Sequence, residues 1–548
     1  MKKLMLASAA LVALAGALST RAPADEPARL VPTRPRLAVV VVIDQFRYDY
    51  LSRFEDLFDP DGGAFLRLKR EGAYFTNANY GHATTYTGPG HAHILTGGYA
   101  CETGMVGNRW FDRASGKVVA IAGDPESHFV GGPGDEGEGT SPRNMLATTV
   151  GDELLLDGRS KVVTIALKSR AAILLGGKLG KAYWLNEKTG GFATSTYYAP
   201  SLPSWVSVWN ERKLADACLG KTWTPSVPES AFSRASEDDM PFEGDLFGLG
   251  RTFPHPIKSY EAACMSPHGN DLELDFARAA VEAEKLGSHE GPDLLAVSLS
   301  ANDEVGHTFG PMSREVVDMT ARTDRQLGAF LRWVEARVPG TLVVFTADHG
   351  ASPIPEYMVR SGVEAHRIKK KDLAAAVEKE LGQRFGEGKW VVGLEDPSVY
   401  LDERLIAEKK LVRAEVEDAA ARALERVPGI ARCFTRTQLL RGEHGATAIE
   451  RSYELCFYPE RSGDVLIVTK PYSFWGKYAE KDYGDSHGSP YGYDTHVPLV
   501  FMGPGVRPGI VHESVSMAGL APTLATLLGV DAPPCAHEPV LAKALEAR

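Results

Sequence analysis

Acidic and histidine side chains in this sequence stand repeatedly where apolar runs end. Asp44 follows Leu37–Ile43, Asp303 and His307 follow Leu294–Ser300, Asp348 and His349 follow Thr341–Ala347, and His487 precedes Val497–Met502. Three carboxylates and three imidazoles delivered in this way suit two hard-to-borderline metal ions at one rim of a sheet. Asp303 and His307 are one helical turn apart and share a face if that segment is helical. A fifth segment, Thr84-Thr85-Tyr86-Thr87-Gly88-Pro89-Gly90-His91, supplies hydroxyls just ahead of a helix start. A helix N-terminus favours an anionic oxygen beside it, and a hydroxyl becomes an effective nucleophile once a metal or a base lowers its pKa. Metals plus a hydroxyl point to hydrolysis of a phosphorylated or sulfated ester. Composition alone does not choose among Thr84, Thr85 and Thr87. Any one of the fifteen histidines, taken singly, is more simply a surface or hydrogen-bonded residue, and Asp44 alone could cap a helix; the metal reading rests on the set.

These residues need a scaffold that brings distant segments to one edge. Leu37–Ile43 is seven consecutive apolar residues, the pattern of a parallel strand buried on both faces. Val162–Leu167, Leu294–Leu299, Leu342–Phe345 and Val497–Met502 are similar, and amphipathic segments such as Phe276–Leu286 and Arg314–Val338 lie between them. The alternation predicts an α/β fold, a mostly parallel central sheet covered by helices on both faces. In such sheets, sites form outside the carboxyl ends of the strands, where Asp44, Lys168, Asp303 and Asp348 all fall. Residues 183–272, rich in Ser, Pro, Trp and Gly, read as a loop-rich insertion over the site. Residues 355–480 carry their own helices and strands and read as a smaller α+β insertion. The catalytic domain is expected to span 36–548, closed by a helix over Met517–Val530.

The 548 residues are 44% hydrophobic and 24% charged, which supports a large core. The net charge of -11 is spread widely with no basic stripe, which argues against nucleic acid as a partner. Lys2 and Lys3 precede the apolar run Leu4–Leu18, and Ala22-Pro23-Ala24 fits a small-x-small cleavage pattern, so residues 1–24 read as a bacterial-type signal peptide. The run is short for a membrane span. The expectation is a periplasmic or secreted monomer with no stable membrane anchor. The six cysteines include no CxxC pair, which disfavours a zinc–thiolate site. In an oxidising compartment Cys218 with Cys264, and Cys433 with Cys456, are the expected disulfides.

Asp44, Thr87-x-x-x-His91, Asp303-x-x-x-His307, Thr346-Ala347-Asp348-His349-Gly350 and His487-Gly488, in that order, resemble the alkaline phosphatase superfamily, in particular the threonine-nucleophile branch that includes nucleotide pyrophosphatases/phosphodiesterases. Gly107-Asn108-Arg109-Trp110 and Leu167-Lys168-Ser169-Arg170 extend the likeness to PafA-type alkaline phosphatases. The resemblance implies two zinc ions per chain. Asp303, His307 and His487 would hold one. Asp44, Asp348 and His349 would hold the other, with Thr87 as its open-site ligand and the nucleophile. It also implies hydrolysis of small-molecule phosphate monoesters through a covalent phosphothreonine, with Asn108, Lys168 and Arg170 on the phosphoryl oxygens. Two cations on those oxygens favour a dianionic monoester over a diester, and diesterase relatives generally lack the Lys-x-Arg pair. A sulfatase would resemble a Cys- or Ser-x-Pro-x-Arg motif, which is not what surrounds Thr87. A phosphodiesterase shares every metal ligand, and an exported protein that only binds metal or phosphate is a third reading. His91 and His496 are expected to support the site or the fold rather than to ligate.

Overall fold

The apolar run Leu37–Ile43 (β1) forms the centre of the molecule, and every residue of it is fully buried. The structure is a computed structural model that describes residues 34–133, 139–443 and 445–546; the expected signal peptide, residues 1–24, lies outside them. The other main strands of the sheet are β2 (Ala73–Asn79), β3 (Val162–Ala166), β4 (Lys181–Asn186), β5 (Gly191–Ser195), β6 (Asp293–Leu299), β7 (Thr341–Thr346) and β8 (His496–Met502). Their spatial order is β2-β8-β7-β1-β6-β3-β4-β5, extended at the two edges by Gly509–Val511 and Phe129–Val130. The run β7-β1-β6-β3-β4 is parallel throughout. β8 is antiparallel to both β7 and β2, and β5 is antiparallel to β4. The sheet is thus mixed at its flanks around a parallel centre.

Register sets the level of the site. Ile43 of β1 pairs with Leu299 of β6, Val42 with Thr346 of β7, and Ser298 of β6 with Ala166 of β3. The parallel strands therefore end side by side, and Asp44, Lys168 and Asp348 leave the sheet at nearly one height. β8 runs the other way, so it enters the sheet at the edge its neighbours leave. That is why His487, which precedes its strand, joins residues that follow theirs.

Helices surround the sheet. Thr87–Thr96 (α1) packs against Ser169–Gly176 (α2), while Pro267–Glu284 (α3) lies against β6 and beside Arg314–Arg337 (α5); Ala301–Phe309 (α4) connects β6 to α5. The closing segment is a 3₁₀ turn, Met517–Gly519, followed by the helix Leu520–Leu528. Residues 370–469 build a second sheet of four antiparallel strands, ordered Val391–Glu395, Ser398–Leu401, Val465–Thr469, Ile430–Thr435. This sheet has its own core, with Leu373, Val377, Trp390, Val416 and Leu424 buried together.

Two expectations are corrected. The stretch 183–272 is not a single loop-rich cover: it contains most of β4 and all of β5, which extend the central sheet, and its end begins α3. The expected disulfides are absent, because all six cysteines are free. Cys433 belongs to the core of the second sheet, and Cys456 belongs to a separate cluster with Phe434 and Leu439. There the Cys456 sulfur accepts the backbone N–H groups of Ala83 and Thr84 at 3.1 and 3.2 Å.

Candidate active site

The ends of the parallel strands frame a cleft of about 590 Å³ whose lining includes Thr87, Asn108, Arg170, Glu304, His307 and His487. No residue of 183–272 lines it. The walls come instead from residues 108–129 with Thr140 and from the segment 370–478.

Two groups of ligand atoms converge at the strand ends beside it, and of these residues His307 and His487 line the cleft. One atom each from Asp303, His307 and His487 lies within 4.8 Å of the others, and the same holds for Asp44, Asp303 and His349. Asp303 and His307 sit one turn apart on α4, with Asp303 Oδ1 3.2 Å from His307 Nε2 and 3.6 Å from His487 Nε2. His349 Nε2 is 3.4 Å from Asp44 Oδ1 and 3.3 Å from Asp348 Oδ2. The geometry departs from the expected grouping in two respects: Asp303 belongs to both clusters, and Asp348 stands outside the converging atoms of the second. Asp348 Oδ2 stands beside it, near His349, and also lies 3.1 Å from His91 Nδ1.

These donors fit divalent cations. Asp44 Oδ1, Asp303 Oδ1, Asp348 Oδ2 and His349 Nε2 are buried with no hydrogen-bond partner among the described residues, an arrangement that is costly unless a ligand completes it. Each histidine is oriented from behind. Nδ1 of His349 meets the Gly350 carbonyl at 2.9 Å, Nδ1 of His487 meets the Thr85 carbonyl at 2.7 Å, and Nδ1 of His307 lies 3.2 Å from both the carbonyl and the carboxylate of Asp485. Fixing Nδ1 leaves Nε2 for a metal, the usual support of a ligating imidazole. The His349 and His487 rings stack at 3.6 Å, and Tyr478 stacks on His307 at 3.7 Å. Carboxylate and imidazole donors suit zinc.

The charges are strongly coupled. Burial, together with Asp303 and Asp348, pushes Asp44 well above the usual carboxylate range. Burial acts the same way on Asp303, but His307 and Lys168 hold it well below. Burial would lower His307, yet Asp303 and Asp485 push it up to about 10. His487 is kept neutral by burial and by the two neighbouring imidazoles.

Thr87 is the first residue of α1, is 1% exposed, and is the one of the three threonines that lines the cleft. The Thr85 hydroxyl donates to the Ser489 carbonyl at 3.0 Å and that of Thr84 to the Cys456 sulfur at 3.3 Å, both away from it. Gly90 is required one turn on, since a Cβ there would lie 2.4 Å from the Asp348 carbonyl oxygen. α1 thus packs directly on the turn that carries two ligands. Asn108 Oδ1 accepts the Gly88 N–H at 2.8 Å, which turns its amide NH₂ towards the cleft without a protein partner among the described residues. An Arg170 nitrogen lies 3.4 Å from Thr87 Oγ1. Lys168 is placed differently from the expectation: its ammonium is 2.8 Å from Asp44 Oδ2, also contacts Asp303, and does not line the cleft. A buried cation between two carboxylates relieves their repulsion.

The sequence reading missed Asp485, Tyr478 and the cleft residues Lys370, Asp396 and Lys477. Asp485 carries a local signal, an acid two residues before His487; the others reach the cleft only through the packing of the second sheet. His91 supports the site through Asp348 and the Thr87 carbonyl. His496 stacks on Tyr48 and bonds the Thr76 carbonyl.

Comparison with known proteins agrees with this geometry. Residues 38–493 match the family model of type I phosphodiesterase/nucleotide pyrophosphatase. The chain is 34% identical over 515 residues to a protein of Myroides odoratus named a calcium-transporting ATPase, covering 91% of this chain and 93% of that one. It is 33% identical over 520 residues to alkaline phosphatase PafA of Elizabethkingia meningoseptica, covering 91% and 92%. A crystal structure of wild-type PafA superposes with a TM-score of 0.88 at 32% identity, over 94% of this chain and 99% of that one.

Proposed function

Because this chain belongs to the type I phosphodiesterase/nucleotide pyrophosphatase family and is similar to alkaline phosphatase PafA over more than nine-tenths of its length, we propose that it is an alkaline phosphatase, an exported zinc enzyme that hydrolyses phosphate monoesters through a phosphothreonine on Thr87. Asp303, His307 and His487 would hold one zinc, and Asp44, Asp348 and His349 the other. When bound, the cations supply positive charge to the attacking and leaving oxygens and lower the pKa of a hydroxyl or water beside them. Thr87 Oγ, deprotonated, attacks phosphorus in line as the bond to the alcohol oxygen breaks. A water oxygen then attacks the same phosphorus, the Oγ–P bond breaks, and inorganic phosphate leaves with the Thr87 hydroxyl restored. The Asn108 amide and the Arg170 fork hold the equatorial oxygens, where charge is spread. Lys168, whose ammonium lies between Asp44 and Asp303, would balance the charge of these carboxylates beside the phosphoryl group. The observation that carries the reading is the convergence of partnerless buried carboxylate and imidazole atoms beside a helix that begins with Thr87.

The test is Thr87→Ala. Monoester turnover is expected to vanish while metal analysis still finds two zinc ions per chain; retained turnover with metals bound would remove Thr87 from its role. A phosphodiesterase reading is weaker because Arg170 lies beside Thr87 Oγ1, a place that favours a dianion. Arg170→Ala should lower monoester kcat/KM far more than diester kcat/KM.

A further inference from the structure

The cleft of about 590 Å³ is much larger than a phosphoryl group, so its outer part must receive the alcohol half of the substrate. The cations in and beneath it differ in their partners. Lys168 is held between Asp44 and Asp303, Lys370 donates to the Leu394 carbonyl at 2.9 Å and lies 3.6 Å from Glu395, and Arg170 lies against Thr87. Lys477 is the exception on the second-sheet side. Its ammonium makes no hydrogen bond and no ion pair among the described residues. It lies 5.1 Å from the centre of the Tyr478 ring, which stacks on His307 at 3.7 Å and 15°. Lys477 and Tyr478 both line the cleft. Arg109, next to Asn108, is a second cation of the cleft with no side-chain partner among the described residues. The acids of the same wall offset this charge little: Glu395 is taken by Lys370, and burial pushes Asp396 up to about 7. The field at Lys477 is attractive from Glu304 and repulsive from Lys481, Arg170 and Lys168.

We propose that Lys477 forms an anion subsite for the alcohol half, so that the favoured substrates are phosphate monoesters whose alcohol bears a second negative group, a carboxylate or a further phosphate. This rests on the monoesterase reading above. Lys477 is exposed at the mouth of the cleft, and an ammonium without a protein partner there gains from an anion brought to it and nothing from an uncharged alcohol. The charge is supplied from outside the phosphoryl pocket, so it discriminates between alcohols and not between esters.

Phenyl phosphate, 4-carboxyphenyl phosphate and 4-phosphonooxyphenyl phosphate test it, each with wild-type enzyme, Lys477→Gln and Lys477→Glu. The quantity read is the ratio of kcat/KM for each anionic substrate to that for phenyl phosphate, in which intrinsic reactivity cancels between variants. The ratio is expected to fall about two- to fivefold in Lys477→Gln and further in Lys477→Glu, with the difference shrinking as salt is raised. A fall with the carboxylate, the second phosphate or both identifies which anion is read. Ratios unchanged in both variants overturn the inference while leaving the phosphatase reading intact. Wild-type enzyme inactive on all three substrates would overturn both.

Discussion

At the scale of single residues, the site depends on groups that touch neither phosphorus nor metal. Asp485 is fully buried and holds His307 by Nδ1, and Gln45 donates to it at 3.5 Å. Partners of this kind fix the tautomer and direction of a ligating imidazole, and losing one typically costs about ten- to a hundredfold in metal affinity. Asp485→Asn should therefore weaken zinc at the cluster of Asp303, His307 and His487 by roughly that factor. Competition with a chromophoric chelator checks it, and an unaltered affinity would assign Asp485 to the fold alone. The sharing of Asp303 by both clusters adds a second expectation. On the proposed function the two zinc ions should not be taken up independently, and a calorimetric titration should fail to fit two unlinked sites.

At the scale of elements, α1 and the turn Ala347–Gly350 act as one unit. Gly90→Ala would drive a methyl group into the Asp348 carbonyl, with a destabilisation of about 1–3 kcal/mol typical of overpacking. Chemical denaturation would register that loss, and activity should fall with it because Thr87 and Asp348 shift together. The strands that carry ligands were legible because Leu37–Ile43 and its counterparts are apolar runs of strand length, and an acid or histidine at the end of such a run stands out. β4 and β5 were not legible. KAYWLN and GFATS are short, mixed in polarity and without a clean period, and they are buried by Trp205, Trp209 and Phe276, whose packing no local pattern announces. The cysteine pairs failed for a related reason: nearness in sequence placed Cys433 and Cys456 together, whereas the second sheet puts them in different apolar clusters. Lys168 was legible as a residue of the site but not as the counter-ion of Asp44, since that pairing depends on how far β1 and β3 bring their ends together.

At the scale of the whole molecule, the fold carries ionisable groups outside the site that shape its response to pH. Glu243 is 4% exposed, and one of its oxygens has no partner among the described residues. Burial, with Glu315 and Asp238 nearby, pushes it up to about 9 from an ordinary 4.5. A carboxyl raised in this way holds its proton in the folded state and loses it in the unfolded chain. Its contribution is complete below the unfolded value and is lost as pH climbs through about 9. Glu243→Gln should flatten the decline in Tm between pH 5 and 9, and scanning calorimetry at both ends of that window decides it. The sheet order has a last consequence, for the timing of assembly. β8 is the wedge between β2 and β7, and it belongs to the final tenth or so of the polypeptide. Until those residues exist, β2 has no neighbour through which to reach the parallel core, and His487 is missing from its cluster. A partly made chain therefore cannot close its centre prematurely: the site is complete only when nearly the entire polypeptide is available.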